Sequence, residues 1–585
     1  MSAATRAKPE MPDAWRRRAA LGLMTAFALA VFGRAFYLQV VDKDFLNREG
    51  DRRHIRTVSV PGHRGAVRDR RGEPLALSAP VDSIWVLPSE LLDAPPYMAA
   101  MANLLSLKPR ELEKYLRARD DKQFVYLKRQ IDPDEAKRFL ALKAPGVFAQ
   151  REYRRYYPAA EVAAHVVGFT DLDGKGQEGI EVTRDASLRG APGSRRVIRD
   201  RAGHVIEDTD DIKEAQPGTD ANLTLDLRLQ YLAYRELKSA VAENHAKGGL
   251  IIVADAASGD ILAVASQPGY NPNRPDDRDA ASLRNRAVND SFEPGSTIKP
   301  LLIAQALETR AISPDYSVDI GPGTFKVGTM TVRDEHATGV LDLGKLLAKS
   351  SNVGAAKVGL LMGPESVWAG YQKFGIGEPV GSGLPGEAPS VLRPYSEWGP
   401  IATATASFGY GLTVNALQLV RAYCAIANDG LMPQLSILRR NNAIPPQRTV
   451  SAQTARTVRR LLEGVTAAGG TATRAAIPGY RVAGKTGTVK KNANGAYVEG
   501  VHQSVFIGMM PAEHPRLVGL VMIDEPGAGE YFGGFVSAPV FSRVLAGAAR
   551  LLQIQPDEMP VPVPKTQTAS AALIPAVAAI GGVRP

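Results

Sequence analysis

Between Ala19 and Val41 lies the run that most limits what this chain can fold into: ALGLMTAFALAVFG, then Arg34, then AFYLQVV. As a helix, Ala19 to Gly33 rises only about 22 Å, short of the roughly 30 Å hydrocarbon core of a bilayer. Counted on to Val41 the rise is about 34 Å, and Arg34 lies near enough to one end to snorkel. The run therefore predicts a single-pass transmembrane anchor over residues 19–41. A cleavable signal peptide is the competing reading, because Ala28-Leu29-Ala30 looks like a cleavage site, but apolar helix continues past it. Five basic residues and few acids precede the span. By the positive-inside rule residues 1–18 are then a short cytoplasmic tail, and everything after Val41 lies on the outer side of the membrane.

At 585 residues the chain is too long for one ordinary core, so two or three domains are expected. The net charge of +10 raises a nucleic-acid reading, which the composition does not support: 71 basic residues face 61 acidic ones, and no basic platform carries aromatic side chains. An anionic surface or polymer fits the charge equally well. The one cysteine, Cys424, excludes an intrachain disulfide, suits an exported chain, and falls in the apolar helical run LQLVRAYCAIA as a small buried hydrophobe. No histidine pair at helical spacing suggests a metal site, and no cofactor is expected.

Residues 42 to about 220 alternate short strand-like stretches (IRTVSV, SIWVLP, RRVIRD) with turns, and a helical patch is expected around 108 to 145. DRRG at Asp69–Gly72 and DRAG at Asp200–Gly203 each place glycine at the end of a four-residue turn, the pattern of a hairpin. A second region opens near residue 221 with the amphipathic helix in NLTLDLRLQYLAYRELKSAVAE. It continues through the hairpin LIIVADA-ASGD-ILAVASQ and ends with strands in YRVAGKTGTVKK, SVFIGMM and LVGLVMIDEP, the first two joined at NANG. Strands at both ends with helices between them predict one sheet closed by sequence-distant strands and covered by helices. From about residue 556 the proline-rich tail cannot bury a core and is expected to be disordered.

Within the second region, EPGSTIKPLLIAQAL sets Ser296 and Lys299 three apart at the start of an apolar helix. Positions i and i+3 share a face, so the amine and the hydroxyl can meet. A desolvated lysine in the positive first turn loses its proton easily and can take the proton of the serine, with no histidine needed. Pro300 fits a first turn, whose N–H groups have no helical partner. Taken alone, a serine at a helix start is more often a cap than a nucleophile. Two further motifs change that balance. In Lys349-Ser350-Ser351-Asn352 a short loop can present Ser350 to pass a proton and Asn352 to hold a carbonyl, although a helix end with Asn352 left-handed is the plainer reading. In Lys485-Thr486-Gly487-Thr488 a strand offers a positive charge, a glycine that permits close backbone approach and two hydroxyls for a carboxylate, against the plainer reading of a strand ending in a turn. The order SxxK, SxN, KTG makes coincidence improbable.

With that trio the chain resembles the penicillin-recognising serine acyl-transferases. GGLIIVADAASGDILAVASQPGYNPN, RAVNDSFEPGSTIKP, SFGYGLTVNALQLVRAYCAIANDG and YFGGFVSAPVF look like the class B penicillin-binding proteins, and RGAVRDRRG and HVVGFTDLDGKGQEGIE look like that class's pedestal. Asn415 stands where the family often has threonine; both cap helices. The resemblance implies an α+β fold: a serine β-lactamase-like transpeptidase domain with an antiparallel sheet covered by helices (221–555), an elongated, mostly-β pedestal of the dimerisation type (42–220) and one N-terminal transmembrane helix. It implies a division-specific peptidoglycan D,D-transpeptidase acting on stem peptides ending in D-Ala-D-Ala, acylated at Ser296 by β-lactam antibiotics. Lys299 would be the base, Ser350 and Lys485 would complete the catalytic set, and Asn352, Thr486, Gly487 and Thr488 would hold substrate. The backbone N–H groups of Ser296 and Thr488 would form the oxyanion hole. A membrane glycosyltransferase of the SEDS type and other divisome proteins would be partners.

Other readings share parts of the pattern. A β-lactamase needs a base for deacylation, and no Glu-x-x-Leu-Asn follows Ser350. A D,D-carboxypeptidase or an elongation-type enzyme is compatible with the trio. A β-lactam sensor needs a cytoplasmic output, for which 18 residues leave little room, and a non-catalytic scaffold would tolerate loss of Ser296 or Lys299, both present.

Overall fold

The computed structural model describes residues 14–43, 55–60, 62–199, 205–335, 339–493 and 496–557. The DRAG turn, part of NANG and the tail after residue 557 lie outside these residues. The apolar run forms helix α1 (Ala14–Phe36) and continues through a π-helical turn, Tyr37–Val41. Helix begins five residues ahead of the expected span because Arg16, Arg17 and Arg18 are good helix formers. Together these 28 residues are long and apolar enough to cross a membrane, and none is counted in a buried core.

The chain divides into two compact units. The first runs up to Ala221, leaving out Asp69–Glu73 and Ala159–Val166, which group with the second unit and Asn222 onward. In the first unit, strands β1 (Ile55–Val60), β2 (Val67–Arg68) and β3 (Pro74–Val86) are followed by helices α2 (Pro88–Leu92), α3 (Pro95–Leu104) and α4 (Pro109–Arg117). Then come β4 (Val125–Ile131), α5 (Pro133–Ala141), β5 (Val147–Tyr156), β6 (Gly193–Arg199) and β7 (Val205–Lys213). Each of α2 to α5 begins with a proline, where the missing N–H costs nothing. The helical patch expected at 108 to 145 is thus two helices around a strand, preceded by two helices that the alternating pattern did not announce. Strand β3 pairs antiparallel with β2, β4 and β5, and β6 lies between β1 and β7 in a separate antiparallel sheet. Ile84, Val86, Leu91, Met101, Leu112, Leu116 and Phe139 form the apolar core around the helices.

Two of the quoted sequence motifs meet in this unit. Glu181 of GQEGIE is fully buried and accepts from Arg64 Nε at 2.7 Å and Arg155 Nε at 2.6 Å, while Arg64 Nη1 reaches Asp185 at 2.8 Å. A carboxylate so placed is tolerable only while both guanidinium groups stay, which fixes the RG of RGAVRD against the GIE segment. The DRRG turn closes as expected: Gly72, at φ +90°, donates its N–H to Asp69 O at 3.1 Å.

In the second unit Asp226 caps α6 (Leu227–Glu243), whose apolar residues at helical spacing are buried. Strands β8 (Gly248–Asp255) and β9 (Ile261–Gln267) form the predicted hairpin. The helices that carry the site follow: α7 (Lys299–Glu308), α8 (Leu343–Ala348), α9 (Asn352–Met362), α10 (Ala416–Ala427) and α11 (Ala452–Thr466). Strands β10 (Ala483–Ala493), β11 (Ala496–Met510) and β12 (Leu517–Asp524) and helix α12 (Gly533–Leu551) close the unit. The sheet is antiparallel in the order β9-β8-β12-β11-β10, so the first strands pair directly with the last. Every residue of β9 and β12 is buried, which requires cover on both faces. Helices α6 and α12 pack on the sheet and on each other, and the wholly buried α10, which holds Cys424, packs against β8 and β12. Asn415 caps α10 in a capping box with Gln418. Strand β10 is left at the sheet's edge, where it borders the site.

Candidate active site

Ser296 stands in a single 3-10 turn, Gly295–Ile298, that runs directly into α7, with Pro300 in the first turn of that helix. The turn is held from three sides: Gly295 N–H donates to Gly409 O, Tyr423 Oη donates to Thr297 O at 2.8 Å, and Thr297 Oγ1 donates to Pro294 O. Ser296 makes no side-chain cap to α7, so the capping role is not the one it serves. Lys299 is fully buried, and its Nζ faces four oxygens: Ser296 Oγ at 3.0 Å, Ser350 O at 2.6 Å, Asn352 Oδ1 at 2.8 Å and Ser350 Oγ at 3.3 Å. Burial pulls its pKa down to about 7, and the nearby Asp334 and Glu335 oppose that only in part. A lysine in that range spends much of its time as a neutral amine 3.0 Å from the serine hydroxyl.

The middle motif differs in backbone from the sequence reading. Ser350, not Asn352, is the left-handed residue (φ +58°) after α8, and Ser351 caps α9 through Gly354 N–H at 2.8 Å. Asn352 is already helical. Its Nδ2 donates to Arg333 O at 3.2 Å, which leaves Oδ1 turned to Lys299. The group that fixes this is Asp334, which accepts from Ser351 Oγ and from the backbone N–H groups of Asn352 and Val353. A carboxylate there satisfies the open N–H groups of α9 and favours its dipole. Nothing in the neighbourhood TVRDEH marked Asp334 in sequence.

From the edge strand, Lys485 Nζ donates to Ser350 Oγ at 2.9 Å and to Thr486 O at 3.2 Å. It too is fully buried, and burial, with Lys299 close by, holds its pKa well below that of a free lysine. Ser350 Oγ therefore lies between two amines, placed to pass a proton. Strand alternation sends Lys485 and Gly487 toward the nucleophile's turn: a Cβ on Gly487 would lie 3.0 Å from Thr297 Cγ2. The close approach that this glycine permits is made by the protein's own turn. Thr486 Oγ1 lies 3.1 Å from Thr471 Oγ1, and Thr488 Oγ1 accepts from Gly533 N–H at 3.2 Å. All eight residues singled out by sequence thus lie in or beside one constellation. Among the described residues no cluster of side chains could hold a metal ion.

A serine beside a buried, proton-poor lysine, with a second serine bridging to a second lysine on an edge strand, defines a serine acyl-transferase in which an amine stands where a base is needed. Residues 249–546 match the family model described as the penicillin binding protein transpeptidase domain, and residues 59–223 match that of the penicillin-binding protein dimerisation domain. The chain belongs to the class B penicillin-binding proteins. It is 41% identical over 537 residues to a probable peptidoglycan D,D-transpeptidase, PenA, of Neisseria gonorrhoeae, covering 91% of this chain and 92% of that one. To the peptidoglycan D,D-transpeptidase FtsI of Escherichia coli K12 it is 39% identical over 551 residues, 93% of each chain. Among solved structures it matches penicillin binding protein 3 of Mycobacterium tuberculosis complexed with aztreonam. That match has a TM-score of 0.67 and 28% identity and covers 85% of this chain and 98% of that one.

Proposed function

We propose that this chain is a peptidoglycan D,D-transpeptidase that cross-links stem peptides through an acyl-enzyme at Ser296 during septal wall synthesis, and that β-lactams acylate the same serine. The observation that carries this reading is the contact of Lys299 Nζ with Ser296 Oγ at 3.0 Å by a fully buried amine whose pKa is pulled down to about 7.

Ser296 Oγ attacks the carbonyl of the penultimate D-Ala as Lys299 takes its proton. The backbone N–H groups of Ser296 and Thr488 hold the oxyanion, each such donor contributing about 10² to 10³ in rate. When the C–N bond breaks, terminal D-Ala departs with a proton passed from Lys299 through Ser350 Oγ, which Lys485 polarises. The side-chain amine of a neighbouring stem then attacks the ester, its proton returns by the same hydroxyl and amine, and Ser296 is released as a cross-link forms. Asn352 orients Lys299 and the donor's amide, the edge of β10 pairs with the donor backbone, and Thr486 and Thr488 bind the terminal carboxylate.

Residues 1–18 form a cytoplasmic tail, 19–41 the anchor, 42–220 a periplasmic pedestal and 221–555 the catalytic domain. A SEDS-type glycosyltransferase and other divisome proteins are the partners. This reading is supported by the apolar α1, by the charge ahead of it and by the likeness to FtsI. Replacing Ser296 tests the centre of it: Ser296→Ala is expected to abolish covalent labelling by a fluorescent penicillin while leaving the melting temperature unchanged. A variant that still labels would refute the assignment of the nucleophile.

A further inference from the structure

After α11 ends at Thr466 the chain doubles back through Ala467–Thr471, an uncharged AAGGT segment with no motif of its own. It is tied down along its length. Thr466 Oγ1 donates to Val482 O at 2.7 Å, just ahead of β10, and Ala472 N–H donates to Val465 O at 2.9 Å. Lys349, the residue before Ser350, donates from Nζ to Gly469 O at 2.9 Å. The start of α12 closes against it as well: a Cβ on Gly534 would lie 1.9 Å from Thr471 O, a contact no side chain allows. A short loop is thus fastened to β10, to the Ser350 turn and to α12, and the atom it delivers is the Thr471 hydroxyl. That hydroxyl has one side-chain partner among the described residues, Thr486 Oγ1 at 3.1 Å.

Two touching hydroxyls hold two protons between them. One proton lies in the bond that joins them, whichever way it runs, and the other must point away from the pair. Protonated Lys485 has no lone pair to offer: its Nζ donates to Thr486 Oγ1 at 3.3 Å and does not receive that outgoing proton. An acceptor-only group set beside the pair, such as a carboxylate, receives a hydrogen bond already polarised by a second hydroxyl and by an amine.

From this juxtaposition we infer that Thr471 is a positioning residue for donor recognition, pairing its hydroxyl with that of Thr486 so that the pair presents a proton to the terminal carboxylate of the stem peptide or the β-lactam. The inference rests on the reading of Thr486 as a carboxylate-binding residue.

The test uses the purified full chain and the second-order rate of acylation by benzylpenicillin and by its methyl ester, which lacks the anion. Thr471→Val is expected to slow acylation by benzylpenicillin roughly tenfold, the effect of one hydrogen bond to a charged group. The rate with the ester should stay within about twofold, and Thr471→Ser should recover most of the loss. Thr471→Ala, which adds no methyl group against the loop, is measured beside them and should behave as Thr471→Val does. Equal losses with both ligands would mean that the loop acts only on the structure, and the inference would fall. It would also fall if Thr486→Val showed the carboxylate-dependent loss while Thr471→Val and Thr471→Ala did not. If Thr486→Val shows no such loss either, the reading of Thr486 fails and takes the inference with it.

Discussion

Among the described residues Lys299 has no carboxylate in hydrogen-bonding contact with its Nζ. Four oxygens surround its Nζ, but none belongs to a carboxylate, so the ammonium gives up its hydration for neutral acceptors. Lys485 shares Ser350 Oγ with it, and two ammonium groups bridged by one hydroxyl repel, so the pair is stable with fewer than two extra protons. In the proposed mechanism the active form is neutral Lys299, whose population rises with pH through its pKa of about 7. Acylation by a penicillin is accordingly expected to climb about tenfold per pH unit below pH 7 and to level off above it, with an apparent pKa that belongs to the lysine pair. Measured acylation rates between pH 5 and 9 check this. A flat profile, or a midpoint near that of free lysine, would contradict the assigned base. The i to i+3 spacing and the expectation of a lowered pKa were legible in SxxK alone. The burial that lowers the pKa was not, since Ser350 and Asn352, which close around Nζ, lie more than fifty positions away.

At the scale of the element, the loop between α8 and α9 shows where local sequence stops deciding. Asn visits the left-handed region more readily than Ser, so KSSN read alone gives the turn to Asn352. Asp334 decides it from a distance: by taking the open N–H groups of Asn352 and Val353 it starts α9 at Asn352, and the turn falls to Ser350. Asp334→Ala is expected to cost about 1 kcal/mol of stability, the usual effect of losing a helix cap. Because Ser350 and Asn352 would no longer be held, acylation should fall by roughly an order of magnitude or more. Asp334→Asn, which keeps one acceptor oxygen, should fall less. Thermal melts and labelling rates of the two variants read both effects, and unchanged labelling in Asp334→Ala would show that the loop holds itself.

For the molecule as a whole, KTG reaches the nucleophile only because the sheet joins the first strands of its unit to the last: β8 pairs with β12, and β10 ends at the edge beside Gly295–Ile298. Strand runs at both ends of the region and the three motifs were readable in sequence, and so was the single sheet. The strand order was not, because pairing between β8 and β12 leaves no local mark. The pedestal's helices α2 and α3 were missed for a related reason: PSELL and PPYMAAMANL are short and begin with proline, which reads as turn until the following residues pack. The septal role belongs to this scale as well. Depleting the protein from its cells is expected to give filaments; round cells that go on dividing would count against that role. The transpeptidase reading itself is tested most directly by giving the purified full chain a stem-peptide donor ending in D-Ala-D-Ala, with and without an amine acceptor. Free D-Ala and a cross-linked product that requires the acceptor and disappears in Ser296→Ala are the expected result. A donor that is only hydrolysed whatever amine is supplied, or cross-linking that survives Ser296→Ala, would contradict it.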